Sequence, residues 1–414
     1  MSSLVPDGWS EEYISEYFDF SIGGTPSRNN ELYWDANQTT SNIWVSIKDL
    51  KDKFISNSAE RISDLGVSKS NVKLLPKNTV LMSFKLSIGR LAISTTPLYT
   101  NEAIVGFIEK RPNTVDRDYL YYGLQSWNLL GEVDQAVKGA TLNKDKMSRI
   151  LGVFPPLPEQ KKIASILTSV DEVIENTQKQ IDKLQDLKKA TMNELLTKGI
   201  GHTEFKDSEL GRIPKSWEIQ RISELSSLVT NGFVGSASSH YRETGIPYLV
   251  SKNIRDNFID ERGLTYISRE FHEKTSKSKL VQGDLLTVQS GHVGSSAVVT
   301  GEYDGANCHA LILTRFNSNL VDSNFMAYYL NSTLGRLRLS IYFVGSTIVH
   351  LNTSDLKKFA VPVPPLKEQE NIVSIVDSIQ NQIDDQFSKL HQTQSLKKSL
   401  MQDLLTGKVR VTVN

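Results

Sequence analysis

The 414-residue chain has a single cysteine, Cys308, which excludes an intrachain disulfide and a Cys-cluster zinc site. Such sparse use fits a reducing compartment. An excess of one charge is missing too, with 47 Lys+Arg against 47 Asp+Glu. Neutrality removes the crude argument from basicity to nucleic acid, but it leaves room for a local basic face. No apolar run reaches the ~18 residues of a membrane span, so no transmembrane helix is expected. The opening Met1-Ser2-Ser3-Leu4-Val5-Pro6 lacks a basic and an apolar region, and no signal peptide is read there.

Catalytic signatures are also missing. No Asn-Pro-Pro-aromatic tetrapeptide, no GxGxxG after a strand and no Walker loop is present. Leu405-Thr406-Gly407-Lys408 lacks the upstream Gly and the Ser/Thr that a phosphate loop needs. Glu204-Phe205-Lys206 matches only the tail of a metal-nuclease motif, without a paired Asp. The seven histidines show no His-x-x-x-His spacing, and no metal site is expected. Cys308-His309 reads as a satisfied, partly buried pair, and Gly291-His292-Val293-Gly294 as a tight turn.

What the chain does contain is itself, twice. Pro155-Pro156-Leu157-Pro158-Glu159-Gln160 recurs as Pro364-Pro365-Leu366-Lys367-Glu368-Gln369. From Pro155 to Ile200, 18 of 46 positions match the second copy without a gap. The preceding segments correspond more weakly, through Trp9/Trp217, Gly24/Gly232, Asp116/Asp322, Tyr122/Tyr328 and Asn143/Asn352. Segments that stay alike share one structural job. Segments that diverge on a common fold differ in what they recognise.

The spacing predicts a long helix after each Pro-Pro, stopped at Gly199 and Gly407. Apolar or small residues alternate at steps of four and three through Ile163, Leu167, Val170, Ile174, Thr177, Ile181 and Leu184. The second copy repeats the spacing at Ile372, Val376, Ile379, Ile383, Gln386, Leu390 and Thr393. A period of 3.5 is a coiled-coil seam. Each seam's natural partner is the other copy, packed antiparallel; the alternative is two helices each docked on its own domain. Lys188-Lys189 and Lys397-Lys398 read as solvated faces. The expected division is 1–154, 155–200, 201–363 and 364–414. Both domains read as α+β, with short strands at Val80–Phe84, Leu91–Ser94, Ala103–Ile108, Leu285–Val288 and Ala310–Thr314, and helices near Tyr119–Trp127 and Asn324–Ser332.

The doubled block, with Glu159-Gln160 and Glu368-Gln369, resembles the specificity (S) subunits of type I restriction–modification enzymes. So do the openings Val5-Pro6-Asp7-Gly8-Trp9 and Ile213-Pro214-Lys215-Ser216-Trp217, and the closings Gly139-Ala140-Thr141 and Gly345-Ser346-Thr347. The resemblance implies two target-recognition domains, each reading half of a split, asymmetric duplex DNA sequence, with helices that set the gap. It implies docking of two modification subunits that bind S-adenosylmethionine and methylate adenine. Two restriction subunits using ATP and Mg are an optional addition. The chain itself would hold no cofactor, do no catalysis and sit in a bacterial or archaeal cytoplasm. Two alternatives stay open: a two-chain system with a fused nuclease–methyltransferase partner, and a coiled-coil scaffold without nucleic acid.

Base edges require Arg, Lys, Asn, Gln, Ser or Thr on exposed loops, and phosphates Lys, Arg or backbone N–H. In the first domain the candidates are Thr25, Ser27, Arg28, Lys48, Lys85, Lys138 and Thr141. In the second they are Ser236, His240, Arg242, Lys252, Asn253, Arg255, Gln289, Ser290, His292, Thr347 and His350.

Overall fold

A computed structural model describes residues 5–129, 142–345 and 349–413. It divides into two compact units, Met1–Gln178 with Ser388–Asn414, and Lys179–Phe387. The division cuts through both long helices, Leu157–Lys198 and Leu366–Leu405. Each unit therefore holds one α+β domain, the start of one long helix and the end of the other.

In the first unit, antiparallel strands run in the order Phe18–Ile22, Ile104–Glu109, Val80–Ser83, Leu91–Ser94, with Phe54–Ile55 added parallel at the edge. In the second unit, Ser226–Asn231, Leu311–Phe316, Leu285–Val288 and Ser296–Val298 repeat that order. A short antiparallel pair closes each domain, Ser10–Tyr13 with Leu151–Phe154 and Glu218–Arg221 with Ala360–Val363. One helix packs on each sheet, Arg117–Ser126 or Ser323–Asn331. The central strands are buried on both faces, which explains their unbroken apolar runs.

The long helices pack antiparallel within each unit. In the first, Ile163, Ala164 and Leu167 share a core with Leu404 and Leu405. In the second, Leu196 shares a core with Ile372, Val373 and Val376. Ile181, Ile379, Ile383 and Leu390 are buried as the seam requires, while Val170, Ile174 and Leu184 are half-buried. The first helix spans 42 residues, about 63 Å at 1.5 Å per residue. It stops at Gly199 in the left-handed region (φ +67°), and the second stops before Gly407 (φ +72°). A Cβ on Gly199 would lie 2.3 Å from Glu368 Oε1, and one on Gly407 would lie 2.4 Å from Pro6 Cγ. Glycine is required at both ends by conformation and by space.

The repeated Glu-Gln pairs bond to the chain's own domains. Glu159 and Gln160 are buried, and so is Gln369; Glu368 is half-buried. Trp9 donates its indole N–H to Glu159 at 2.9 Å, and Trp217 donates to Glu368 at 3.1 Å. Gln160 Oε1 accepts the Asp116 N–H at 2.8 Å, and Gln369 Oε1 accepts that of Asp322 at 3.0 Å. Each Asp in turn caps the helix on its sheet. Each pair thus clasps the start of a long helix to the opening and the capping turn of its own domain.

Lys189 and Lys398 are exposed as expected, but the first lysine of each pair departs from expectation. Lys397 bonds Asp171 at 2.6 Å and lies 5.6 Å from the Tyr122 ring. Its counterpart Lys188 donates to Gln380 at 2.6 Å and lies 5.6 Å from the Tyr328 ring. Burial lowers the Lys188 pKa, although Asp384 and Asp377 oppose the shift. Their long stems pack on the domain's tyrosine instead of extending into solvent.

The two clasps differ in the side chain that meets the glutamate. In the first unit Arg410 grips Glu159 with two bonds, 2.6 and 2.9 Å. In the second, His202 Nε2 lies 2.8 Å from Glu368. Burial pushes the Glu159 carboxyl up, but Arg410 and Trp9 outweigh it and hold it below its ordinary 4.5. A folded-state pKa below the unfolded one adds stability that is complete above 4.5 and disappears as pH falls through the folded value. Arg410→Ala should therefore weaken the first unit at neutral pH and flatten its stability loss in acid. Urea unfolding at neutral pH and near pH 4 checks this; equal acid slopes in both chains would take Glu159 out of the account.

Candidate nucleic-acid interface

In the first domain, four of the candidate residues gather around two carboxylates. The Arg28 guanidinium lies 3.7 Å from the Trp34 ring and 4.8 Å from that of Trp44, and it pairs with Glu60. Lys48 pairs with the same Glu60 at 3.0 Å. The Arg28 bond, opposed by desolvation and aided by Lys48, holds the Glu60 pKa low. Thr25 donates its hydroxyl to Glu102; that bond lowers the Glu102 pKa, with a smaller pull from Lys85 and Arg28. Two indole faces and a carboxylate fix the Arg28 fork, a preorganised cation of the kind that reads guanine or phosphate. Ser27 is exposed, and its carbonyl accepts the Trp34 indole N–H at 3.2 Å. Lys138 and Thr141 lie outside the described residues, as does Thr347 in the second domain.

The second domain distributes its candidates over three places. On the first, His240 stacks on Phe271 at 4.2 Å, and Arg242 is tied to the Ser239 and Tyr241 carbonyls. Ser236 lies exposed beside Ser238. On the second, Lys252 is exposed, Arg255 faces Asp260 at 3.5 Å, and a His292 ring nitrogen meets the Ile254 carbonyl at 2.8 Å. Asn253 belongs to the interior there. It is 0% exposed, takes the Val250 N–H and gives its amide to the Asp260 carbonyl. Its polar atoms hold the turn, so it is corrected from base reader to structural residue. On the third, Gln289, Ser290 and His350 converge, with Ser290 Oγ 2.6 Å from His350 Nδ1.

The weak catalytic leads resolve structurally. Glu204 forms an exposed 3.0 Å pair with Lys215 beside the Phe205–Ser208 and Gly211–Pro214 hairpin. Cys308 is fully buried, and burial raises its thiol pKa far above the ordinary range. His309 bonds the Tyr248 hydroxyl at 3.1 Å, and burial lowers its pKa. Among the described residues, no group of three or more His, Cys, Asp or Glu is placed to hold a metal, and no helix is long and apolar enough to cross a membrane.

Several residues of these clusters and contacts escaped the sequence reading. Trp34, Trp44, Glu60 and Glu102 come from scattered segments, with no local pattern to unite them. Asn231 and Thr353, which adjoin Gln289, flank loops already singled out. Tyr122 and Tyr328 carried a signal, being paired across the repeat.

Two versions of one α+β fold, each clasped to an antiparallel helix pair and each presenting a different polar surface, define a bipartite recognition protein. A family model described as the type I restriction modification DNA specificity domain matches residues 6–186 and again 214–393. The chain belongs to this family of DNA specificity subunits. It is 28% identical to the type I restriction enzyme MjaVIII specificity subunit of Methanocaldococcus jannaschii, over 98% of this chain and 94% of that one. It is 30% identical to the putative MjaX specificity subunit of the same organism, over 72% and 69%. The solved type I restriction-modification S subunit from M. genitalium, 14% identical, shares the fold over 100% of this chain and 98% of its own, with a TM-score of 0.56.

Proposed function

We propose that each domain reads one half of a split, asymmetric duplex DNA target, and that the two long helices set the gap between the halves. The chain then acts as the address and scaffold of a larger enzyme and performs no chemistry itself. Two modification subunits that bind S-adenosylmethionine and methylate adenine dock on it. Restriction subunits that use ATP and Mg are an optional addition.

One observation carries this reading: the same strand order and the same clasp recur in both units, while the polar clusters differ. A cation held against a pair of indoles marks the first domain, and an amide–histidine recess marks the second. Conserved mounting with divergent surfaces is what two different half-sites require. Dimeric readers span half-sites about 34–36 Å apart, and a helix of about 63 Å is long enough for that.

The test is genome-wide mapping of methylated adenines with and without this chain. A split asymmetric motif that appears only with it is the expected result. Phosphate-mediated binding by the chain with its modification subunits should also weaken linearly in log affinity against log salt. No chain-dependent motif, together with no salt-sensitive duplex binding, would leave a scaffold without nucleic acid.

A further inference from the structure

The second domain carries a recess of about 430 Å³ at the ends of its central strands. Asn231 ends the Ser226–Asn231 strand there, Gln289 follows Leu285–Val288, and Thr353 opens the short helix Thr353–Lys358. Ser290 and His350 complete the rim, and no carboxylate is among the lining residues. A polyanion therefore meets no repulsive side chain within it.

The hydrogen bonds in the recess are directional. Gln289 is 4% exposed, and its Nε2 donates to Asn231 Oδ1 at 2.7 Å. The Thr353 hydroxyl donates to the same oxygen. Both acceptor sites of Asn231 Oδ1 are thereby used within the protein. Asn231 itself is exposed, and its Nδ2 amide has no acceptor among the described residues. The side chain is held so that it presents donors only.

A free Asn amide pairs with adenine in two bonds, giving to N7 and accepting from N6. With Oδ1 already occupied, that mode is closed. Guanine is the one base with two acceptors, N7 and O6, on its major-groove edge; adenine N7 and thymine O4 offer one each. We propose that Asn231 reads a guanine in the half-site of the second domain, and that Gln289 is a positioning residue which enforces guanine over adenine. This rests on the reading that the second domain meets duplex DNA.

The experiment maps methylated adenines in cells that express the full chain with its modification subunits, as wild type, Asn231→Ala, Asn231→Asp and Gln289→Leu. Asn231→Ala should make one guanine position of one half-site degenerate. Asn231→Asp, which cannot donate, should reduce methylation of the guanine-containing target by roughly ten- to hundredfold. Gln289→Leu frees one acceptor site on Asn231, so adenine should be admitted beside guanine at that same position. A purely structural role would weaken the whole motif evenly and could not substitute one base for another. An unchanged motif in all three variants, a change in the other half-site, or loss of the whole motif in Asn231→Ala at unaltered melting temperature would overturn the assignment. A wild-type chain that yields no split motif overturns the functional reading itself, so the two failures are distinguishable.

Discussion

Trp217→Ala should destabilise the second unit by about 3–5 kcal/mol, the range for removing a buried aromatic side chain. Trp217 is fully buried and bonds Glu368 at 3.1 Å, and its ring is where a Cβ on Gly199 would collide. The end of the first long helix, the start of the second and the domain's opening all meet on this one indole. For a unit of this size the loss corresponds to a fall in melting temperature of roughly 6–20 °C. Trp217→Phe keeps most of the packing and loses the N–H donor. Glu368 retains the Ile200 N–H and His202, so the milder variant should cost about 1 kcal/mol. Calorimetry of both chains separates the two contributions. A melting temperature within 2 °C of wild type for Trp217→Ala would show that the clasp does not hold the unit together.

Lengthening both long helices should move the gap in the target and leave the half-sites alone. A heptad inserted after Gln178 and another after Phe387 fall at the division between the compact units, away from both clasps. Seven residues preserve the 3.5-residue seam and add about 10 Å of helix. At ~3.4 Å per base pair, the gap should widen by about three base pairs. Mapping methylated adenines reads the result directly. Altered half-sites, or an unchanged gap with methylation intact, would show that something other than the helices sets the spacing.

The clasps show how far a repeat reaches as a structural signal. Trp9/Trp217 and Asp116/Asp322 are identical across the copies, and each turns out to bond the Glu-Gln block. The acceptors of Tyr122 and Tyr328 were invisible for a geometric reason. Tyr122 bonds Asp171 at 2.7 Å, and Tyr328 bonds Asp377. In the alignment of the copies, Asp377 stands opposite Thr168, three positions from Asp171. Residues three apart share a helix face. Tyr122 meets Thr168 at 3.2 Å and reaches its carboxylate one turn along, so a residue-by-residue comparison finds the position and misses the acid.

The order of domains and helices, the seam, the glycine stops and the shared α+β fold were determined by the sequence alone. All are local or periodic: a 3.5-residue period, a Pro-Pro entry, a left-handed stop, an apolar run buried on both faces. The sequence also limited the candidates for reading DNA to a few loops. Only the tertiary structure decided what those side chains are free to do. It turned Asn253 inward, set Arg28 against two indoles, and used both acceptor sites of Asn231 so that only donors remain. The reason is physical. A side chain's offer to a partner is what remains after its neighbours have taken their hydrogen bonds, and those neighbours lie 58 and 122 positions away for Asn231.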